Sequence, residues 1–167
     1  MTIAELLLPE FDQEIASTRK VLERIPNDKL DWKSTPKSNT IGWVGSHLAE
    51  IPSWVEGTLA GDAWDIHPPG SDPYRTTICT SKEQMLAEFD KQVPVARAAI
   101  ERTSDEEFVK SWSLLMQGQP LFTMPRYTVI RSFVLNHIIH HRAFLLSYLR
   151  QVGVPIPGMY GPSGDES

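Results

Sequence analysis

The chain has 167 residues and a mass of 18.9 kDa, so we expect a single domain over residues 1–167. Hydrophobic residues make up 41% and charged residues 22%, which is typical of globular proteins and excludes a disordered or collagen-like chain. The net charge is −5 and no basic run is present, so we do not expect nucleic-acid binding, which depends on neutralising phosphates.

The first predicted element is a helix over residues 2–25. Thr2 and Glu5 have the spacing of a capping box. Apolar residues then recur at helical spacing, and charged residues, among them Glu14, take the other positions. Pro9 either bends this helix or marks where its regular part begins, because proline cannot donate a backbone hydrogen bond.

The second predicted helix spans about residues 41–60. Thr40 caps it, Gly61 ends it, and Pro52 is expected to kink it. One face carries a largely apolar and aromatic stripe: Trp43, His47, Glu50, Ile51, Trp54, Val55 and Leu59. A long loop over residues 62–79 follows, and loops of this kind often cover a pocket.

Two further helices and a hairpin complete the predicted fold. The third helix spans about residues 81–103 and the fourth about residues 125–152. Between them, residues 108–123 contain two β-prone runs around a Gln-Gly-Gln break, which indicates a small hairpin. Residues 158–167 form a polar tail. Together these elements predict an all-α four-helix bundle with a small β-hairpin between the third and fourth helices.

No segment of the sequence resembles a signal peptide or a membrane span. The apolar run near the N-terminus is short and broken by acidic residues, and no stretch approaches the ~20 apolar residues that a span needs. The single cysteine, Cys79, excludes an internal disulfide, and we do not expect it to act as a nucleophile. These features predict a cytoplasmic protein that binds neither a membrane nor a nucleic acid.

Two histidines of the fourth predicted helix have the spacing of metal ligands. His137 and His141 are four residues apart, so their imidazoles lie on one helix face, one turn apart. This separation lets two nitrogens reach one ion at ~2.0–2.1 Å. Their neighbours on this face, Val134 and Leu145, are apolar, and burying an imidazole there is unfavourable unless its nitrogens find partners. A metal ion would be such a partner.

The second predicted helix supplies a candidate third ligand. His47 shares a face with Trp43 and Trp54, where burial is predicted. Together with His137 and His141 it would form a three-histidine site with an open coordination position, which is typical of catalytic metal centres. Two structural alternatives stay open: a surface pair of histidines on the fourth helix, and a core histidine at position 47 that is simply hydrogen-bonded.

The remaining candidates lie close to these three histidines in sequence or in a nearby loop. His140 also has a helical spacing to His137, but we interpret it as supporting the ligands or facing solvent. His67 lies in the proline-rich loop and is either solvated or reaches over the site. Glu50, one turn beyond His47, is a candidate fourth ligand or catalytic base; a rim charge paired with Arg or Lys is the favoured alternative.

Several motifs together give the chain a wider resemblance. In chain order they are Ile41-Gly42-Trp43, His47-Leu48-Ala49, Trp54, Leu135-Asn136-His137-Ile138-Ile139-His140-His141-Arg142, Tyr148-Leu149-Arg150, Gly153-Val154-Pro155-Ile156-Pro157 and Tyr160-Gly161-Pro162-Ser163. With these motifs, its helix order and its hairpin, the sequence resembles the DinB/YfiT-like superfamily of metal-dependent enzymes over nearly its whole length.

The resemblance implies a four-helix bundle that holds a divalent metal, usually nickel or zinc, through three histidines. In this sequence they correspond to His47, His137 and His141. It also implies a homodimer and a small-molecule substrate. Characterised members include transferases and isomerases in which the metal holds the thiolate of a low-molecular-weight thiol, but no thiol-binding residues can be matched here, so this activity is carried over from the fold alone.

Three functional hypotheses follow. The leading one is a metal-dependent enzyme in which the ion activates water or a thiol, with S-transfer preferred to hydrolysis because of the relatives. The second is a non-catalytic protein that binds a metal or a ligand, such as an accessory of a stress response. The third is a structural dimer whose buried histidines bond to each other and to the backbone.

Overall fold

The protein is rich in helices and has one small three-stranded sheet. The computed structural model describes residues 1–166. Its helices are α1 (Ile3–Leu22), α2 (Ile41–Glu50), α3 (Ser53–Ala60), α4 (Lys82–Arg102), α5 (Asp105–Phe108), α6 (Arg126–Thr128) and α7 (Asn136–Gln151). Its strands are β1 (Ala63–Asp65), β2 (Ser111–Met116) and β3 (Gln119–Pro125). Within residues 1–166, each helix is too short or too polar to span a bilayer.

Helix α1 begins with the predicted capping box. The hydroxyl of Thr2 accepts the backbone N–H of Glu5 at 3.1 Å, and the Glu5 carboxylate accepts the N–H of Thr2 at 2.7 Å. The helix runs from Ile3 through Pro9, so its regular part does not start at the proline. It ends at Leu22, three residues before the predicted end.

The single helix predicted over residues 41–60 is two helices in the structure. The hydroxyl of Thr40 caps α2 by accepting the N–H of Trp43 at 3.1 Å, and Gly61 lies at the C-terminal cap of α3. Ile51 and Pro52 separate α2 from α3. Because Pro52 has no backbone N–H, the helical hydrogen bond at this point is missing, and the helix is interrupted at the predicted position although Ile51 and Pro52 keep helical φ and ψ.

The predicted hairpin is formed by β2 and β3. Its two-residue turn places both Gln117 and Gly118 at positive φ, 52° and 74°, which is the geometry that matches the twist of the flanking strands. The structure adds a strand that the sequence did not predict, because β1 pairs in parallel with β2 and aligns Ala63 with Ser113. The expectation of an unstructured loop over residues 62–79 is therefore wrong for β1, which is too short to show a periodic pattern.

The last helical rod is less regular than predicted. A π-helical segment (Val129–Leu135) joins α6 to α7, where the sequence predicted one continuous α-helix over residues 125–152. The rod ends near Gly153, whose φ of 79° is in the left-handed region, as expected for a helix-ending glycine. Helix α4 agrees with its prediction to within one residue at each end.

Four helices surround the main core. Helices α1 and α2 each pack against both α4 and α7, so the four contacts close a ring. Fully buried side chains fill the space within it: Phe11, Leu22, Leu48, Phe89, Ile100, Ile138 and Leu145. Gly45 permits the close approach of α2 to α4, since a Cβ there would lie only 2.7 Å from the sulfur of Met85. The ring brings α2 and α7, which carry the candidate ligands, into direct contact.

A buried ion pair joins α1 to α7 and holds the C-terminal segment. The Arg142 guanidinium donates to the Glu14 carboxylate at 2.5 Å and to the Tyr160 hydroxyl at 2.7 Å. Arg142 is 1% exposed and Glu14 is 3% exposed. The prediction that Glu14 lies on the polar face of the first helix is therefore wrong. Tyr160 docks on this pair, so residues 158–166 are not simply a polar tail, and residue 167 of the predicted tail lies outside the described residues.

Replacing Arg142 with methionine should lower the free energy of unfolding by about 3–5 kcal/mol, because the Glu14 carboxylate would stay buried without its cation. Urea denaturation measures the change. The matched control is Arg97→Met, which removes an exposed pair with Asp12 and should have little effect. Equal losses in the two variants would contradict this account of the buried pair.

Candidate metal centre

The three histidines predicted as ligands converge in the structure. His47 comes from α2, whereas His137 and His141 come from α7. The Nε2 atom of His137 lies 3.0 Å from Nε2 of His47 and 3.0 Å from Nε2 of His141. One nitrogen of each ring lies within 4.8 Å of the other two. We call these three residues the histidine cluster.

Aromatic side chains enclose the histidine cluster. The Trp43 ring stacks on His47 with centroids 4.6 Å apart, and Trp54 presents its ring at a steep angle to His137 with centroids 5.1 Å apart. His47 is only 5% exposed, and the other two histidines are half-buried. These rings shield His47 from solvent.

The π-helical segment precedes the ligand-bearing turns of α7. It ends two residues before His137, and Phe133 within it packs against His137 with ring centroids 5.5 Å apart. Segments of this kind occur frequently at functional sites. Beyond it, His137 and His141 share a face with the fully buried Leu145, as the helical spacing predicts.

Glu50 lies behind His47 and sets the orientation of its ring. Its Oε1 atom is 2.8 Å from Nδ1 of His47, and the hydroxyl oxygen of Thr76 is 2.9 Å from the same nitrogen. Nδ1 and Nε2 are on opposite edges of an imidazole, so this carboxylate lies on the far side from the histidine cluster. The structure thus differs from the favoured expectation of a rim charge paired with Arg or Lys. A carboxylate in this position keeps the proton on Nδ1 and leaves the Nε2 lone pair directed at the cluster.

Hydrogen bonds among the three rings cannot satisfy the histidine cluster. His137 Nε2 makes both of the 3.0 Å contacts, and one proton between neutral imidazoles cannot serve two neighbours with good geometry. A cation accepts all three lone pairs at once. Two ligand nitrogens at tetrahedral positions ~2.0–2.1 Å from such an ion lie about 3.3 Å apart, close to the separations observed. The donor set therefore fits a divalent metal ion.

The surroundings keep two of the histidines neutral at pH 7. Burial, with the adjacent His47, lowers the pKa of His137 to about 4 and that of His141 to about 3. Burial alone would raise the pKa of the Glu50 carboxyl, but hydrogen bonds from His47, Tyr74 and Thr76 outweigh it and hold that pKa below its usual value. Metal binding requires deprotonated ligands, and these shifts provide neutral imidazoles.

The other candidates lie outside the histidine cluster. His140 is exposed, and its ring packs edge-on against His141 and Phe144 with centroids 5.0 and 4.8 Å away. His67 is held by its backbone, whose N–H donates to the Asp65 carboxylate at 2.9 Å. Burial raises the pKa of the half-buried Cys79 thiol.

A cavity of about 610 Å³ opens beside the histidine cluster, and we call it the histidine cavity. His47 and His137 form part of its wall. The segment between β1 and α4 contributes further lining residues: Ile66, Tyr74, Arg75, Thr76 and Ile78. The expectation that the long loop covers a pocket is thus confirmed. No pattern in the sequence identified the individual loop residues that line the cavity, because they reach the site only through the tertiary fold.

Comparison with models of known families identifies the superfamily of this chain. Residues 10–145 match the model of the DinB superfamily. The chain belongs to the DinB superfamily. The matched region of this DinB-superfamily member contains the whole histidine cluster together with Glu50.

Individual relatives share this fold along most of their length. The uncharacterized protein YrdA of Bacillus subtilis is 24% identical over 163 residues, which cover 95% of this chain and 89% of YrdA. A DinB-like protein from Bacillus cereus has a crystal structure that matches with a TM-score of 0.69 at 20% identity, over 92% of this chain and 95% of that protein.

A third comparison is with YfiT from Bacillus subtilis, a probable metal-dependent hydrolase with an unusual four-helix bundle topology. It matches with a TM-score of 0.67 at 15% identity, over 90% of this chain and 87% of YfiT. The likeness establishes a shared fold and agrees with the ring formed by α1, α2, α4 and α7.

Chelator-treated, metal-free protein should lose stability as the pH falls from about 6.5 towards 4. In the unfolded chain His137 and His141 bind protons near pH 6.5, whereas the folded protein binds them only near pH 4 and 3. The unfolded state then holds more protons, so the free energy of unfolding decreases as the pH falls. Urea denaturation at a series of pH values measures this slope.

The double variant His137→Gln/His141→Gln should show a shallower slope over the same pH range, because it lacks both titrating groups. His140→Gln, which changes an exposed histidine on the same helix, should retain the wild-type slope. A slope that is unchanged in the double variant would show that other groups cause the acid destabilisation.

Proposed function

We propose that this protein is a divalent-metal-dependent enzyme of the hydrolytic type, with His47, His137 and His141 as the metal ligands. The observation that carries the proposal is the convergence of their Nε2 atoms, with two separations of 3.0 Å that a single shared proton cannot explain. The shared fold with YfiT, a probable metal-dependent hydrolase, supports the same reading.

A divalent ion at such a site supplies Lewis acidity, which makes water a nucleophile near neutral pH and polarises a substrate carbonyl. The protein provides the arrangement around it. Glu50 and Thr76 hold His47 through its Nδ1 atom. Three histidines leave a fourth coordination position, and the histidine cavity adjoins the cluster where a small-molecule substrate would enter. Arg75, which lines that cavity, offers a positive charge for a carboxylate or carbonyl oxygen of the substrate.

The family resemblance implies a more specific alternative, which is S-transfer with a low-molecular-weight thiol. It would use the same ligands, with a low-molecular-weight thiol in place of water. The resemblance also underlies our expectations of nickel or zinc as the metal and of a homodimer. These expectations are part of the proposal, and elemental analysis identifies the metal.

Purified protein without a histidine tag should contain about one divalent ion per chain, which elemental analysis by mass spectrometry both counts and identifies. His137→Ala should lose the ion, because only two of the three proposed imidazole ligands would remain. His140→Ala is the matched control and should keep it, since His140 lies outside the histidine cluster. Circular dichroism confirms that both variants are folded. Metal retained at the wild-type level in His137→Ala would refute the ligand assignment.

Turnover separates the chemical alternatives. We expect hydrolysis of simple esters or amides by the metal-loaded protein, abolished by a chelator and restored by the metal, and lost in His137→Ala but not in His140→Ala. Metal-dependent consumption of an electrophile only when a low-molecular-weight thiol is added would favour S-transfer. A metal-loaded protein that is inactive towards both panels would favour the non-catalytic, metal-binding hypothesis.

A further inference from the structure

A larger cavity lies next to the histidine cavity and is not explained by the metal site. Its volume is about 820 Å³, which is within the range of about 300–1,000 Å³ typical of small-molecule sites. Four aromatic residues line both cavities and form a common wall: Trp54, Trp64, Tyr74 and Phe133. None of the three clustered histidines contributes to the lining of the larger cavity.

The interior of the larger cavity is mainly apolar. Trp112 lines it and is 2% exposed. The indole N–H of Trp112 is buried and has no hydrogen-bond partner among residues 1–166. Because this nitrogen is not accessible, it cannot bond to a ligand in the cavity, and Trp112 contributes no polar side-chain atom to the lining.

The charges around the larger cavity favour a cation. Glu50 and Glu88 line it with one basic residue, Lys91. The Lys91 side chain is 72% exposed and lies 3.8 Å from the Glu88 carboxylate, so its charge is directed to solvent and partly neutralised. Among residues 1–166, the half-buried Glu50 carboxylate pairs with His47 and with no Lys or Arg, and the faces of the surrounding aromatic rings also attract cations.

We propose that the larger cavity is a second small-molecule site, which binds an apolar organic amine. The apolar body of the ligand packs against Trp54, Trp64 and Trp112, and its ammonium group faces the carboxylate side formed by Glu50 and Glu88. The site is separate from the histidine cluster and does not depend on a metal. The site shares Glu50 with the metal centre, where this residue holds His47, so the tests use metal-free protein and measure metal content separately.

Isothermal titration calorimetry on chelator-treated protein tests the charge preference. The probes are 4-phenylbutylamine, 4-phenylbutanol and 4-phenylbutyrate, which share an apolar body and differ in the charge of the terminal group. We expect the amine to bind at least about tenfold more tightly than the acid, with the alcohol between them. Absence of measurable amine binding, or equal affinity for the amine and the acid, would overturn the proposal.

Two substitutions locate the bound amine. Gly57 lines only the larger cavity, and a Cβ at this position meets no atom within 4 Å, so Gly57→Phe can extend into the cavity without a clash. The change also replaces a helical glycine by a better helix former, which favours folding. We expect Gly57→Phe to weaken amine binding at least tenfold, whereas Gly57→Ala, the matched control, keeps it within about twofold.

Ile78 is the corresponding position in the other cavity, because it lines the histidine cavity only and is 52% exposed. Ile78→Phe should leave amine binding unchanged. Loss of binding in Ile78→Phe together with retention in Gly57→Phe would place the amine beside the histidines and overturn the proposal. Metal content, measured on the same variants, should be unchanged in both, which keeps this test distinct from that of the metal site.

Discussion

The hydrogen bond between Glu50 and Nδ1 of His47 is the interaction on which the chemistry of this protein depends. It keeps the proton on the outer edge of the ring and turns the lone pair of Nε2 towards His137 and His141. Three imidazoles held this close cannot all be satisfied by each other, because neutral rings have too few protons in the right places. The packed helices therefore maintain an arrangement that becomes favourable when a cation is shared.

Contacts elsewhere in the fold fix the rotation of α7 and so the positions of His137 and His141. Arg142 follows His141 directly in sequence but faces α1, where it pairs with the buried Glu14. Rotation of α7 about its axis would separate this ion pair as well as the histidines, and leaving either charge buried alone is strongly unfavourable. Tyr160 completes the network, so the C-terminal segment also helps to fix the helix that carries two of the three candidate ligands.

The two cavities beside the helices differ in the charged and titratable groups of their walls. The histidine cavity has imidazoles and a basic residue in its wall, whereas the larger cavity combines aromatic walls with carboxylates. Glu50 connects the two, because it lines the larger cavity while it holds His47 in the smaller one. Tyr74, Trp54 and Trp64 separate them, so different ligand chemistries are accommodated on the two sides of one aromatic wall.

The sequence by itself determined the four long helical segments, the caps at Thr2 and Thr40, the hairpin turn and the face shared by His137 and His141, since capping, turn geometry and helical spacing act over a few residues. Only the tertiary structure decided the partner of Glu14, the pairing of β1 and the position of Glu50 behind His47. These depend on contacts between segments that are distant in the chain, and local patterns do not record such contacts. The interruption at Pro52 was predicted from the sequence, since the missing backbone N–H of proline is a local property. The π-helical segment before His137 has no local sequence pattern that distinguishes it from an α-helix, so it too appears only when the rod is packed against its neighbours.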